Sequence, residues 1–574
     1  MRVVVLATEN HADDYLKHER KIGDIIIPVG PWAIYYADKY GWESRSLSSL
    51  WIEAEYKKAS SESIKRVDAL ISQLNDYSIG LNPNEKIEIG NYYAFQLWVI
   101  IGQIHHNHFI IKSIFKSINP ERLLIYTSRF NSIFMEYRPN PDSILAEMFT
   151  KSGYFDEKKM VIKVVKEKSK NYSLKSKILS CLPTVISRIL KETRMKRSVE
   201  RNNKNAKNQL LVVGAPYEWM KISQYESFTN NYSLHYMRQL SITFKSESSK
   251  IIKSIINKSI TYNGSPVFNL SLLSDKIESD LSFFIQNQEK TQNELKQFKA
   301  VVSSVFVFPW ENYIAHMAAK LNKPVILWQH GEKGSFCDIT IPYTEIKNTT
   351  HYFSYGPAVK MMEFKSYLGK DRLIAVETVG TLTKNEKFNG GGRDILYATG
   401  KWFKTASPFL GKSDWDYRLY NKQKTILEFL NSITTDNSII FKANNSIGLN
   451  EVPHSYPRIK FEYKTPFMEL LKNSKIIILD TPNTTLVQAC STKLPIFVVD
   501  DSFEYYSEFK SLINKRVIWC ETPRELVSKL KDFIESGIYE ADLNNEEYIN
   551  SYSVKFENEE IAAKATSLLR DIIN

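Results

Sequence analysis

One stretch of this 574-residue sequence, residues 475–499, constrains the fold more than any other. It contains an apolar run at 476–479, a polar turn, a short helical pattern and a second apolar run at 496–499. Neither run alternates apolar with polar residues, which is typical of strands in a parallel sheet that is covered on both faces. The stretch therefore predicts a strand–turn–helix–strand unit of an α/β protein.

A second unit of the same kind lies upstream. Residues 301–308 are apolar, 311–321 have helical spacing, and 324–328 form another apolar run. That run leads into a polar loop, Gln329-His330-Gly331-Glu332. In parallel α/β sheets ligands bind beyond the carboxyl ends of the strands. Two such loops, about 150 residues apart, predict one cleft between two α/β domains.

Four short motifs occur in a fixed order along this part of the chain. They are Pro-Val-Ile-Leu-Trp-Gln-His-Gly (324–331), Tyr-Phe-Ser-Tyr-Gly (352–356), Val-Gly-Thr (379–381) and a block from Asp480 through Thr484-Thr485 to Lys493-Leu494-Pro495. In this order they resemble the transferases of bacterial surface-polysaccharide, O-antigen and capsule biosynthesis, which are GT-B-type glycosyltransferases. The resemblance covers roughly residues 300–525.

The resemblance implies two Rossmann-like domains that face a cleft. The N-terminal, acceptor-side domain would span 1–384. A glycine-rich linker at 385–393 would lead to a nucleotide-sugar-binding domain at 394–574. The implied function is transfer of a sugar from a nucleotide-activated donor to a lipid-linked or oligosaccharide acceptor of a bacterial surface glycan. The nucleotide-sugar is then a substrate, and no cofactor is expected.

The donor and two rival activities stay open at this point. CMP-linked Kdo or a nonulosonic acid is one candidate donor, although capsule transferases often carry His-Pro where this chain has Ala443-Asn444 after Lys442. A CDP-polyol phosphotransferase and a UDP-GlcNAc 2-epimerase-like enzyme would use the same fold. A non-catalytic protein that binds glycans or nucleic acid is the alternative from another class.

The candidate site residues follow predicted strands. His330 is the candidate for acceptor activation, since an imidazole accepts a hydroxyl proton near neutral pH. Glu9 and His11 follow the first predicted strand and are candidates for an acceptor-side base. Hydroxyls, helix dipoles and a lysine could stabilise the departing phosphate. The donor-binding candidates are Thr399, Gly400, Lys401, Lys442, Asp480, Thr484, Thr485 and Gln488. The acceptor-side loop candidates are Gln329, Gly331 and Glu332.

Metal chemistry is not predicted. No DxD motif occurs in a strand-end setting, and the four cysteines are too widely spaced for a zinc site. His105, His106 and His108 lie close together in the sequence without a well-spaced acidic partner. They are interpreted as a cluster on a helix surface. Asp500, Asp501 and Glu504 could instead contact donor hydroxyls or form a solvated acidic turn.

The positive charge of the chain is concentrated in one segment. Residues 158–207 carry 16 Lys or Arg and three Glu, which gives this segment a net charge of +13. The whole chain has a net charge of +12, so the remaining residues together are close to neutral. Apolar residues recur there at helical spacing, which predicts a basic amphipathic insertion that binds an anionic membrane surface. A solvated insertion and a nucleic-acid arm are the alternatives, and no nucleic-acid partner is expected. The predicted location is the cytoplasm, at the inner face of the bacterial cell membrane.

Overall fold

A computed structural model describes most of the chain. The described ranges are 1–84, 86–128, 141–151, 159–165, 208–237, 250–262, 264–331, 348–358, 374–381, 392–400, 415–443, 455–500, 503–553 and 557–574. Within them, three parallel sheets follow one another along the chain. The predicted α/β fold built on parallel sheets is therefore confirmed.

The first sheet belongs to residues 2–165, the first unit, and has the strand order β2-β1-β3-β4. Its elements are β1 (Arg2–Leu6), α1 (Glu9–Asp14), a π-helical turn (Tyr15–Glu19), β2 (Asp24–Pro28), α2 (Pro31–Lys39), a 3₁₀ turn (Leu47–Leu50), α3 (Glu53–Leu81), α4 (Ile89–Tyr92), α5 (Ala94–Ile118), β3 (Arg122–Ser128), α6 (Pro141–Lys151) and β4 (Met160–Val165). The predicted first strand is confirmed by β1, which pairs in parallel with β2 and β3.

Strand β4 corrects one prediction. Its residues open the segment 158–207, for which the sequence predicts a helical insertion, yet they pair in parallel with β3. Their run of β-branched residues favours a strand. Residues 166–207, which hold most of the predicted insertion, lie outside the described part of the chain.

The second sheet belongs to residues 208–381, the second unit, and has the order β12-β11-β10-β9-β5-β6. Its elements are β5 (Asn208–Val212), α7 (Tyr217–Ile222), α8 (Glu226–Thr229), β6 (Tyr232–Tyr236), α9 (Lys250–Ser259), the short antiparallel pair β7 (Thr261–Tyr262) and β8 (Ser265–Pro266), α10 (Ser271–Gln286), α11 (Gln288–Leu295), β9 (Ala300–Ser303), α12 (Pro309–Lys320), β10 (Val325–Trp328), β11 (His351–Ser354) and β12 (Ala375–Thr378). The predicted unit at 301–328 is β9-α12-β10. Its helix begins at Pro309, a residue favoured in the first turn.

The third sheet belongs to residues 392–553, the third unit, and has the order β15-β14-β13-β16-β17-β18. Its elements, with the last helix of the chain, are β13 (Asp394–Ala398), α13 (Trp415–Ser432), β14 (Ile439–Lys442), β15 (Ile459–Glu462), α14 (Phe467–Leu471), β16 (Ser474–Leu479), α15 (Thr484–Cys490), β17 (Ile496–Val499), α16 (Ser507–Ile513), β18 (Ile518–Cys520), α17 (Pro523–Ser536), α18 (Glu547–Tyr552) and α19 (Asn558–Ile573). The predicted unit at 475–499 is β16-α15-β17.

The first two sheets share one hydrophobic core. Val5 of β1 and Val301 of β9 belong to the same buried cluster, together with Leu70 of α3, Ile101 of α5 and Ile314 of α12. The segment 1–384, which the sequence predicts as one Rossmann-like domain, thus contains two parallel sheets that are packed through a common helical layer.

The third unit contacts both of the others. A Cβ built on Gly356, which follows β11, would lie 2.4 Å from the Ser551 carbonyl oxygen of α18. Helix α19, which follows the third unit, packs in the core of the second sheet. On the other side, Tyr420 Oη of α13 donates a 2.8 Å hydrogen bond to Asp38 of α2. Within the described residues, no helix is long and apolar enough to cross a bilayer.

Candidate active site

The loop after β10 and the start of α15 approach each other closely. Gly331 has φ +77°, in the left-handed region, and a Cβ built on it would lie 3.9 Å from Thr484 Oγ1. Both segments follow the carboxyl ends of parallel strands, β10 in the second sheet and β16 in the third. Two predicted site residues that are about 150 positions apart in the sequence thus lie side by side.

Gln329 fixes the loop that carries His330. The buried Gln329 side chain donates a 2.9 Å hydrogen bond to the Gly331 carbonyl and accepts one of 2.8 Å from the backbone N–H of Tyr355. His330 itself is exposed, and its ring stacks on Tyr217. Gln329 therefore fixes the loop from the protein interior, while His330 is exposed at the surface.

Asp480 is the centre of the strand ends in the third sheet. Its fully buried carboxylate accepts hydrogen bonds from Tyr397 Oη at 2.7 Å, Thr399 Oγ1 at 2.5 Å and the Gly400 N–H at 2.7 Å. Burial raises the pKa of Asp480, and the nearby Lys422 ammonium opposes that rise. Three predicted donor-binding residues are thus brought together. The Asp480 carboxylate is buried in the protein interior, where its hydrogen bonds hold the Thr399-Gly400 loop in place.

Lys422 of α13 completes this anchor, and sequence reasoning missed it. The ammonium is buried, 3.2 Å from the Asp480 carbonyl oxygen and 3.2 Å from Asp500 Oδ1. Tyr505 Oη also donates to Asp500. Asp500 is therefore a buried partner of Lys422, and the interpretation that it contacts donor hydroxyls or forms a solvated turn is wrong.

Close packing explains the glycine at position 400. A Cβ there would lie 2.3 Å from Thr481 Oγ1, so any side chain would force the two loops apart. The Thr481 hydroxyl is buried and has no hydrogen-bond partner among the described residues. The backbone of the Thr399-Gly400 loop thus lies directly against the start of the turn that leads to α15.

Asn483, a residue type that is favoured at helix N-caps, caps α15. Its Oδ1 accepts hydrogen bonds from the Thr485 N–H at 2.8 Å and the Thr485 hydroxyl at 2.6 Å. Thr484 is exposed, and the half-buried Gln488 lies one turn further on. Residues four apart share a helix face, so Thr484 and Gln488 form one polar strip on α15, of which Thr484 approaches Gly331.

The remaining predicted site residues lie in other settings. The Lys442 ammonium donates to the carbonyl oxygens of Ala443 at 3.1 Å and Tyr463 at 3.0 Å, and burial lowers the pKa of Lys442. Through these two contacts the lysine holds the end of β14. Lys401, Glu332 and Asp501 lie outside the described residues. Exposed Glu504 forms an ion pair with Lys57 of α3.

The two candidates after β1 have local contacts. His11 is fully buried: its Nδ1 accepts from the N–H groups of Ala7 and Thr8, both at 3.4 Å, and its Nε2 lies 3.3 Å from Ser128 Oγ. In this position the imidazole secures the loop after β1 and is shielded from any substrate. Glu9 lies in the first turn of α1, where a carboxylate interacts favourably with the helix dipole.

The histidine cluster of α5 is buried, so the interpretation as a surface cluster is wrong. His105, His106 and His108 are each at most 7% exposed. Burial lowers the pKa of His105 to about 3 and of His106 and His108 to about 4. Among the described residues, no group of three or more His, Cys, Asp or Glu could hold a metal ion. These histidines are buried because α5 buries nearly its whole circumference between the first two sheets.

These histidines predict acid lability. Unfolded histidine titrates near 6.5, so between that pH and about 4 the unfolded chain binds the extra protons and stability falls as the pH is lowered. Each buried histidine contributes a slope of about 1.4 kcal/mol per pH unit. The substitution His106→Gln is expected to reduce the slope of unfolding free energy against pH by that amount between pH 6 and 4.5. Urea unfolding at several pH values measures it.

Ser113 of the same helix is the matched control, because it is also buried and carries no titratable group. Ser113→Ala should leave the slope between pH 6 and 4.5 unchanged. An unchanged slope in His106→Gln would contradict the assignment of neutral, buried histidines in the folded state.

Comparison with known proteins gives distant structural similarities. No family model matches the chain, and no curated protein does. Solved structures similar to it include a glycosyltransferase from Rickettsia africae (TM-score 0.35, 13% identity, 64% of this chain and 99% of that chain). Others are the UDP-GlcNAc 2-epimerase from Neisseria meningitidis bound to UDP-GlcNAc (0.35, 12%, 64% and 99%) and the lipopolysaccharide outer core galactosyltransferase WaaB (0.35, 10%, 63% and 99%). Identities this low say nothing about donor or acceptor, so the function has to be inferred from the site residues.

Proposed function

We propose that this chain is a glycosyltransferase of the GT-B type. It would transfer a sugar from a nucleotide-activated donor to an acceptor of a bacterial surface glycan. The observation that carries the proposal is the approach of Gly331 to Thr484, where a Cβ placed on the glycine would lie 3.9 Å from the threonine hydroxyl oxygen. Ligands of parallel sheets bind beyond the carboxyl ends of the strands, and here the ends of two sheets meet.

The third unit is the proposed donor side. Exposed Thr484 and half-buried Gln488 form a polar strip on α15. The turn that leads into this helix packs through Thr481 against the Thr399-Gly400 loop, which Asp480 holds in place. Fixed dipoles of this kind stabilise charge that develops on a leaving group without reorganising during the reaction. We propose that they bind the phosphate oxygens of the nucleotide without a metal ion.

His330 is the proposed general base on the second unit. It would accept the proton of the acceptor hydroxyl while that oxygen bonds to the anomeric carbon and the bond from this carbon to the phosphate oxygen breaks. The proton then resides on the imidazole and the electron pair on the departing nucleotide. The exposure of His330, next to Gly331, supports this role.

Nucleotide binding is the first test. A nucleotide at about 100 times its dissociation constant is expected to stabilise the folded chain by roughly 2.7 kcal/mol. A thermal-shift panel of CMP, CDP, UDP, GDP and dTDP identifies the class. In the variant Thr484→Ala the free energy of nucleotide binding should become less favourable by about 1–3 kcal/mol, because a hydrogen bond to a charged oxygen is lost.

Thr522→Ala is the matched control. Thr522 caps α17, where its side chain accepts a 3.2 Å hydrogen bond from the Glu525 N–H. This variant should lose about 1 kcal/mol of stability and keep the full nucleotide shift. If none of the five nucleotides shifts the melting temperature, the proposed donor site does not exist.

Location stays a separate proposal. We propose that the basic segment 158–207 attaches the chain to the anionic inner face of the bacterial cell membrane. Its excess of lysine and arginine supports this, since each such residue near an anionic leaflet contributes about 1 kcal/mol. The acceptor would then be lipid-linked.

A further inference from the structure

Tyr217 and His330 form an exposed aromatic pair, the Tyr217–His330 stack. The ring centroids are 4.3 Å apart and the ring planes differ by 7°. Tyr217 is 49% exposed although it is a large hydrophobic residue, and His330 is exposed as well. Both residues follow strands of the second sheet, β5 and β10, so the stack stands at the carboxyl edge of that sheet.

Buried, hydrogen-bonded tryptophans lie close in the chain to both residues of the stack. Trp219, two residues after Tyr217, is fully buried and donates a 2.7 Å hydrogen bond to the Ser303 carbonyl. It packs edge-on against Trp328, whose indole N–H donates a 3.0 Å bond to the Gly380 carbonyl. The buried chain on either side of the stack is therefore fixed, and the two outer rings have a defined position. Binding surfaces on rigid elements are better preorganised than those on free loops.

The stack also borders the gap to the third unit. Gly331, adjacent to His330 in the chain, is the residue that approaches Thr484. Core packing does not require Tyr217, because α7 buries Trp219 and Ile222 and leaves the Tyr217 ring outside. Aromatic side chains together with a few polar groups are the residue types that line ligand sites.

We propose that the Tyr217–His330 stack binds a pyranose ring of the glycan acceptor. The role as an acceptor subsite rests on the proposed function. One face of many hexoses presents only C–H groups and packs on a flat aromatic ring, while the hydroxyls around its rim remain hydrated. The stack belongs to the second unit and adjoins Gly331, which approaches Thr484, so a sugar bound there would lie next to the proposed donor side. Tyr217 is then a specificity-determining residue for the acceptor.

The test compares Tyr217→Ala with Tyr217→Phe. Lactose, cellobiose and N,N′-diacetylchitobiose serve as probes, with binding measured by saturation-transfer NMR and titration. Wild type and Tyr217→Phe should bind at least one disaccharide with similar affinity. Tyr217→Ala should bind it about tenfold more weakly, which is comparable to the loss of one aromatic side chain that stacks on a nucleic-acid base. The thermal shift with nucleotide should be unchanged in both variants.

Tyr40→Ala is the matched control, because Tyr40 is 38% exposed and stacks on Trp42 in the first unit. It should bind the disaccharide like wild type. The inference is overturned if no disaccharide binds, or if Tyr217→Ala binds the disaccharide as well as wild type does. It is also overturned if Tyr217→Ala loses the nucleotide shift instead, because the stack would then bind the nucleobase of the donor. Disaccharide binding that depends on Tyr217, in a protein with no nucleotide shift, would support the stack and refute the proposed transferase function.

Discussion

The variant Asp480→Ala is expected to lose about 3–5 kcal/mol of stability and its nucleotide binding. Removal of the carboxylate leaves three buried donors, Tyr397 Oη, Thr399 Oγ1 and the Gly400 N–H, without their acceptor. Each unsatisfied buried group costs about 1–3 kcal/mol, and breaking a buried charge network costs about 3–5 kcal/mol. Urea unfolding followed by fluorescence measures the stability, and the thermal-shift panel measures the nucleotide.

Asp436→Ala is the control for this variant. Asp436 is exposed in the same unit, so its loss should change stability by no more than about 0.5 kcal/mol. Asp480→Asn retains one acceptor oxygen and should be less destabilised than Asp480→Ala. If Asp480→Ala were as stable as Asp436→Ala, the carboxylate would not anchor the Thr399-Gly400 loop as described.

The variant His330→Ala is expected to lose turnover by about 10²–10⁴-fold, the usual contribution of a general base. The melting temperature should change little, because the ring is exposed and stacks on one neighbour. The nucleotide shift should also persist, since the proposed phosphate contacts lie in the third unit. Initial rates with saturating donor and acceptor measure the turnover.

Two results would remove His330 from the mechanism. Full turnover in His330→Ala would show that another group accepts the proton. Loss of turnover together with a large fall in melting temperature would show that His330 is structural. The contacts of Gln329 would then not be sufficient to hold the loop.

Long apolar runs made much of the fold predictable. The runs at 301–308, 324–328, 476–479 and 496–499 all contain strands of parallel sheets. In such sheets burial on both faces removes polar residues, so the signal is strong. The sequence before residue 300 carries fewer runs of this kind. The presence of two sheets that share one core could therefore not be predicted there.

The site was only partly predictable, since strand ends can be inferred from sequence and side-chain directions cannot. Thr484 and His330 were identified by their positions after strands. Asp480 was identified in the same way, yet its carboxylate points into the fold. Lys422 and Tyr217 were missed because each lies in a helix whose sequence does not reveal which neighbour it meets. Those contacts depend on tertiary packing between segments far apart in the chain.

Nucleotide release from a panel of nucleotide-sugars, measured with and without a glycan acceptor, tests the proposed transfer most directly. The proposed mechanism predicts release from one donor class that requires acceptor, with one new glycosidic bond formed for each nucleotide released. UDP-GlcNAc conversion that proceeds without acceptor would indicate an epimerase instead. No release from any donor, with or without acceptor, would contradict the assignment of a glycosyltransferase.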